Sequence, residues 1–141
     1  MKLLLSFLSA VLISGCATGP IYHPVAPPAP DQALLYIYRV STLSGVLVRL
    51  KLDINGEEKG VLPNYSYTFE YVSPGHLVLS AKRTPTSTGL TVSAEIRAGQ
   101  TYYFKIYQTA SGLFINNHFE MVSPEVAIAD LKNLSGATAE K

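Results

Sequence analysis

The segment VLVRLKLDINGEEKGVL, residues 46–62, has the pattern of a β-hairpin. Every second residue from Val48 to Ile54 is apolar, and the residues between them are charged. This alternation is typical of a strand with one buried face. The Asn-Gly pair at 55–56 follows at once, and both residue types tolerate the positive φ angles that a two-residue hairpin turn requires. The stretch therefore predicts two paired antiparallel strands.

Similar alternation recurs along the chain on both sides of this hairpin. The further strand candidates are ALLYIYRV (33–40), YSYTFEYV (65–72), HLVLSAKR (76–83), LTVSAEIR (90–97), TYYFKIYQ (101–108) and LFINNHFEMV (113–122). The first of them is almost continuously apolar, which indicates a strand covered wholly or partly on both faces. Short strands with frequent turn signals predict an all-β fold, an antiparallel β-sandwich of about seven or eight strands.

The turn signal Ser73-Pro74-Gly75 lies between two of these candidates. Proline presets φ at the second turn position, and glycine adopts a positive φ without a steric cost. We expect this turn to join residues 65–72 and 76–83 as a hairpin. Four aromatic residues of the first strand alternate with polar ones and are expected to face the core. They are Tyr65, Tyr67, Phe69 and Tyr71.

One helix is expected after the last strand, near residues 124–134. Ser123 suits the N-cap, Pro124 the first helical position, and Glu125 the positive end of the helix dipole. We expect the helix to pack on the edge or end of the sheet. Its apolar side is formed by Ala127, Ile128, Leu131 and Leu134.

The start of the chain has the features of a secretory signal. Lys2 is followed by an apolar segment from Leu3 to Ile13 and then by Cys16, the single cysteine. The apolar segment is too short for a spanning helix, which needs about 20 residues. Ile13-Ser14-Gly15-Cys16 resembles the bacterial lipobox. An ordinary signal peptide that is discarded with its cysteine is the alternative.

The lipobox resemblance implies a signal peptide at 1–15 and a lipidated Cys16, with a diacylglycerol on the thiol and an N-acyl chain, typically palmitate, on the new amine. Several chains suit a stable anchor, because a single acyl chain holds a protein only marginally. Residue 17 is alanine. By the same resemblance, an aspartate there would retain the protein in the inner membrane, so we expect the outer membrane.

Residues 17–30, ATGPIYHPVAPPAP, contain five prolines. Proline disfavours helix and sheet and favours extended polyproline II, so we expect 16–30 to be a semi-rigid tether between the lipid and the domain. A proline-rich ligand for a partner domain is the alternative. The β-sandwich domain is expected at 31–134, followed by a polar tail at 135–141.

The chain carries 11 basic and 10 acidic side chains, and removal of the signal with Lys2 leaves ten of each. This balance, without a basic stripe, argues against nucleic-acid binding. We identify no set of nucleophile, base and orienting group, and the histidines His23, His76 and His118 lack metal-ligand spacing. No catalytic residue, metal or cofactor is therefore expected beyond the lipid on Cys16.

Nine tyrosines and no tryptophan are present. If Leu35, Ile37, Phe104 and Ile106 point inward, alternate tyrosines point outward, and exposed tyrosines offer contact area for a protein partner or a sugar ring. The alternative is that a helix or loop covers them. This possible binding surface consists of Tyr36, Tyr38, Tyr103 and Tyr107.

Several stretches resemble a family of bacterial lipoproteins known only as a domain of unknown function, of the 2846 type. They are ALLYIYR, LDINGEEKGVL, YVSPGHLVLSA and AGQTYYFKI within residues 33–107, and then SPEVAIADL. The Asn-Gly and Pro-Gly turns are also similar to those of PEGA domains, small β-modules of the cell envelope. The resemblance implies a fold, and it implies nothing about activity.

Together these features predict a lipid-anchored lipoprotein of the outer membrane that faces the periplasm. We expect a non-enzymatic binding or accessory module of the envelope, with the membrane as partner through the lipid and a protein or glycan as further partner. Two alternatives are a structural subunit of an envelope assembly and a hydrolase of cell-wall or glycan substrates. An exposed tyrosine patch would favour glycan binding, an apolar or uncovered strand edge would favour assembly, and a cleft where His76 or His118 meets a carboxylate would favour an enzyme.

Overall fold

The computed structural model describes residues 21–40, 49–83 and 89–137. The expected signal peptide, Cys16, the strand positions 46–48 and the end of the polar tail lie outside the described residues. Within them the chain forms nine strands and one helix. In chain order these are β1 (Ala33–Arg39), β2 (Leu50–Ile54), β3 (Glu57–Leu62), β4 (Ser66–Val72), β5 (Gly75–Arg83), β6 (Leu90–Ile96), β7 (Thr101–Ser111), β8 (Phe114–Val122), α1 (Pro124–Leu131) and β9 (Ser135–Gly136).

The strands form two sheets, which confirms the predicted β-sandwich with a short C-terminal helix. The five-stranded sheet has the order β8-β7-β1-β4-β9, and the four-stranded sheet has the order β3-β2-β5-β6. Most neighbouring strands are antiparallel, as predicted. Two pairs are parallel, β1 with β7 and β4 with β9. Neither parallel pair was predicted, because alternation within a strand carries no information about its partner.

The hairpin of β2 and β3 has the predicted turn. Asn55 and Gly56 both adopt positive φ, 51° and 83°. The two strands are antiparallel, with a register shift between Leu52 and Asp53. The local sequence was sufficient to predict this hairpin, because a two-residue turn places the two flanking strands side by side, where they pair.

The prediction of a hairpin around Gly75 is wrong. Gly75 does have a positive φ, 128°, but β4 lies in the five-stranded sheet and β5 in the four-stranded sheet. The turn at 73–75 is therefore a corner at which the chain crosses between sheets. A turn signal shows that the chain reverses, and it does not distinguish pairing in one sheet from stacking of two sheets.

The main core lies between the two sheets. Phe104 and Ile106 of β7 point into it, as predicted, and Leu35 and Ile37 of β1 join them. All four meet the apolar face of β2 and β5. All seven residues of β1 are buried, which confirms a strand covered on both faces. Because β1 is central in its sheet, its second face requires a second layer of cover.

The helix α1 provides part of that layer. Ala127, Leu131 and the following Leu134 are buried against the outer face of the five-stranded sheet, together with Tyr38 and Tyr103. The expected position at the edge or end of the sheet is therefore wrong. Ile128, assigned to the apolar side, is 37% exposed, since the part of the helix that contacts the sheet is narrow.

Candidate functional site: the aromatic outer face

The outer face of the five-stranded sheet carries a cluster of tyrosine rings. Because Leu35 and Ile37 fill the main core, Tyr36 and Tyr38 point to the opposite side. Tyr36 lies across from Phe69 of β4 and from Tyr103 of β7 in the strand register. The Tyr36 and Tyr103 rings stack with centroids 5.4 Å apart and an interplanar angle of 6°.

This geometry corrects the predicted orientation of β4. Its aromatic residues were expected in the core, but Tyr67 belongs to the outer cluster and Phe69 and Tyr71 are partly exposed on the same outer face. Tyr65 precedes the strand, has a φ of 58° and is also exposed. The prediction that these aromatic residues share one face was correct. The prediction that this face points into the core between the sheets was wrong, because both faces of this sheet bury side chains.

The segment before β1 covers the aromatic face. The ring of Tyr22 meets Tyr36 and Tyr67 edge-on, with centroids 5.6 Å away in each case. The backbone N–H of Val25 donates to the Tyr36 hydroxyl at 3.0 Å. The segment that was predicted to be a tether therefore packs as part of the domain from Ile21 onward.

A second contact fixes the same segment nearer to β1. The Tyr71 hydroxyl donates to the Ala26 carbonyl at 2.6 Å. Ile21 also forms an isolated antiparallel bridge with Ser135, and Ser135 pairs in β9 with Ser66. The expected polar tail thus begins with the short strand β9, and the N-terminal segment bridges this strand through Ile21.

The four tyrosines predicted as an exposed surface are mostly covered. Tyr36 is 2%, Tyr38 0% and Tyr103 9% exposed, while Tyr107 is half-buried beyond the helix. The exposed-patch prediction is therefore wrong for the first three, and the alternative of cover by a helix and a loop is correct. An outward-pointing ring on a central strand presents too much apolar area to be left in water.

Burial changes the chemistry of these hydroxyls. Burial, with a smaller effect of the neighbouring Tyr36, raises the pKa of Tyr22 to about 12. Burial and then the hydrogen bond to Asp130 raise the pKa of Tyr38 far above its ordinary value. Both hydroxyls therefore keep their protons to a higher pH than an exposed tyrosine does.

Asp130 links this cluster to the helix. Its Oδ2 atom accepts from the Tyr38 hydroxyl at 2.9 Å and lies 2.8 Å from Nζ of Lys105. One carboxylate of α1 is thus held by β1 and β7 together. This arrangement fastens the helix to the sheet.

The two histidines of the strands occupy open surfaces. Nδ1 of His76 lies 2.7 Å from Oε1 of Glu95 on the neighbouring strand, and both side chains are largely exposed. His118 stacks on Tyr107 at 4.6 Å, and its Nε2 lies 2.8 Å from Oγ1 of Thr109. Each pair joins neighbouring strands across a sheet face.

The remaining site features are limited in size. A cleft lined by Leu52, Lys59, Leu62 and Thr68 has a volume of about 20 Å³, room for roughly one water molecule. Among residues 21–40, 49–83 and 89–137, no group of three or more histidine, cysteine or acidic residues could hold a metal ion. In the same ranges no helix is long and apolar enough to cross a membrane.

One exposed apolar feature was not predicted. The turn between β7 and β8 and the start of β8 present Leu113, Phe114 and Ile115, which are 100%, 75% and 53% exposed. Three consecutive apolar residues after Gly112 break the alternation of the strand, and this break was the available signal. We refer to Leu113, Phe114 and Ile115 as the apolar tip.

The two-sheet fold and the covered aromatic face together define a class of protein. It is a two-sheet β-domain in which the N-terminal segment and the C-terminal helix cover the outer face of the five-stranded sheet. The chain belongs to the family described as Protein of unknown function (DUF2846), whose model matches residues 29–119. The match begins just before β1 and ends within β8. No curated protein matches the chain.

Proposed function

We propose that the protein is a lipoprotein of the outer membrane, anchored through Cys16 and facing the periplasm, and that it serves as a non-enzymatic accessory or binding module of the envelope. The observation that carries the proposal is the docking of the N-terminal segment on the aromatic face. A segment that connects a domain to a lipid has a reason to be fixed, because its attachment sets how the domain sits on the membrane.

The length of the free connection follows from this docking. Ile21 is the first residue that the structure describes, and it bridges Ser135. Five Cα steps separate it from Cys16, a reach of at most about 18 Å at 3.3–3.6 Å per residue. In this proposal the part of the predicted tether from Ile21 onward packs on the domain, and the remaining link to Cys16 keeps the domain close to the bilayer.

The non-enzymatic part of the proposal is supported by the positions of the titratable groups. The buried tyrosine hydroxyls hold protons and fasten the N-terminal segment and α1. His76 meets Glu95 on an open strand pair, where water has full access to both side chains. These groups serve the fold, and general acid–base catalysis requires groups that converge on a bound substrate.

Cys16→Ala tests the anchor. The variant should remain unprocessed or be released from membranes, whereas the unaltered protein should float with the membrane fraction and carry acyl chains on its mature N-terminus by mass spectrometry. Ala17→Asp is the matched control for sorting. It keeps the lipid and, by the lipobox resemblance, should move the protein to inner-membrane fractions on a density gradient.

Processed Cys16→Ala protein that still floats with membranes would refute the lipid anchor. Enrichment of the unaltered protein with inner-membrane markers would refute the outer-membrane assignment alone.

A second function, a structural subunit of an envelope assembly, is favoured by one observation. The strand β8 is an edge of the five-stranded sheet, with Phe114, Ile115 and Met121 exposed along it. An edge strand offers its backbone groups to a strand of another chain. Met121→Cys should then be protected from a maleimide in intact envelopes and labelled in purified protein, while Arg97→Cys, in an exposed turn, should be labelled in both.

A further inference from the structure

The apolar tip stands well beyond the end of the sheet. β7 pairs with β1 as far as Ile106 opposite Arg39, and it then continues to Ser111 with β8 as its partner. Five further residues in extended conformation carry the turn about 17 Å past that level. A protruding apolar turn of this kind costs solubility, and exposed apolar patches commonly mark an interaction site.

The first described residue of the N-terminal segment lies at the level of the same end. Ser66 pairs with Arg39 at the end of β1, and Ser135 pairs with Ser66. Ile21 bridges Ser135 and is itself exposed. The link to Cys16 therefore starts at the level of the sheet from which the apolar tip projects, on the other side of the same sheet.

The two distances agree. The tip projects about 17 Å beyond the level of Arg39, and the link from Ile21 to Cys16 reaches at most about 18 Å. A membrane surface that receives the lipid of Cys16 can therefore also meet Leu113 and Phe114 when the link is extended almost to its full length.

The same end carries aromatic and basic side chains suited to a lipid surface. Tyr65 is exposed there, directly before Ser66, and tyrosine is favoured at the boundary between headgroups and acyl chains. Arg83 ends β5 opposite Leu50 and lies near enough to Arg39 for their charges to interact. Arg39 is itself buried, so the exposed Arg83 is the basic side chain that complements anionic headgroups.

We propose that the apolar tip is a second membrane contact, which inserts Leu113 and Phe114 into the same leaflet that holds the lipid of Cys16 and fixes the orientation of the domain. The occupant of this surface is a lipid bilayer. The inference rests on the proposed lipid anchor. Two contacts at one end restrain the tilt of the domain, so the opposite end, with the corner at Gly75, points away from the membrane.

The absence of tryptophan from the sequence allows a direct test. Phe114→Trp places a single fluorophore in the tip, and His76→Trp places the control fluorophore at an exposed position at the far end of β5. Each full-length lipidated protein is reconstituted into phosphatidylethanolamine and phosphatidylglycerol vesicles, with or without brominated acyl chains, and flotation is measured on the same sample.

The expected result is a blue-shifted emission of the tryptophan at position 114 that is lost with brominated lipid, and an unchanged emission at position 76. Flotation without preferential quenching at position 114 would overturn the tip contact and leave the anchor intact. A blue shift at position 114 without quenching would place the tip against protein and overturn the proposal as well. Failure of the lipidated protein to float would overturn both the anchor and the tip contact.

Discussion

The hydroxyl of Tyr38 donates a hydrogen bond to Oδ2 of Asp130 at 2.9 Å, and this bond joins the C-terminal end of β1 to the last turn of α1. Tyr38 is wholly buried, and the carboxylate also pairs with Lys105. The helix is thus fixed on the sheet by a polar contact within an otherwise apolar layer, and the contact determines where along the sheet the helix lies.

Tyr38→Phe should lower the free energy of unfolding by about 1–2 kcal/mol, because a hydrogen bond to a charged group is lost and ring packing is kept. Urea unfolding of the chain from residue 17 to residue 141 gives the measurement. Tyr65→Phe is the control, since the Tyr65 side chain is 45% exposed, and it should change stability by less than about 0.5 kcal/mol. Equal midpoints for the two variants would show that the bond to Asp130 contributes nothing.

Tyr22→Ala should destabilise the domain although residue 22 lies before the first strand. The ring contacts Tyr36 and Tyr67, and loss of a half-buried aromatic side chain costs about 1–3 kcal/mol. Ile21→Ala, at an exposed neighbour, should cost less than about 0.5 kcal/mol. If Tyr22→Ala leaves the urea midpoint unchanged, the N-terminal segment does not belong to the folded unit.

Gly75→Val should cost about 1–3 kcal/mol through backbone strain, because a β-branched residue disfavours a φ of 128°. A Cβ at this position meets nothing within 4 Å, so the cost is conformational and not a clash. Ser73→Val, in the same corner and exposed, is the control and should be close to neutral. A Gly75 variant as stable as the control would exclude positive φ at the corner.

Alkaline pH should unfold the protein through its buried tyrosines. The folded state raises the pKa of Tyr22 from 10.0 to about 12, mainly by burial. The unfolded chain therefore ionises first, so the stabilisation is fully present below pH 10 and is lost as the pH rises to about 12. Urea midpoints across this interval should fall less steeply for Tyr22→Phe than for the unaltered protein. Parallel profiles would assign the loss to other groups.

The sequence was sufficient wherever the information was local. The turn at Asn55 and Gly56 follows from turn chemistry, and the inward face at Phe104 follows from alternation alone. The covered state of Tyr36 was left open, because alternation identifies residues that share a face and does not identify what packs on it. The cover by Tyr22 depends on a contact between a proline-rich segment and rings far along the chain, for which the sequence offers no local pattern.

The corner at Gly75 and the apolar tip illustrate two further limits. Pairing between strands of one sheet and stacking between sheets obey the same alternation, so the partner of β4 could not be derived from its own residues. The apolar tip did carry a signal in its consecutive Leu113, Phe114 and Ile115. That the tip projects from the sheet depends on how far β7 extends past β1, and only the strand register shows this distance.

The central position of β1 determines when the chain can fold. Its two neighbours are β4, about thirty residues later, and β7, which begins at Thr101, so one side of β1 lacks a partner until most of the polypeptide is available. A chain that ends before β7 is therefore unable to complete its five-stranded sheet. The closing of this sheet is thus a late step of folding, set by the order of the strands along the chain.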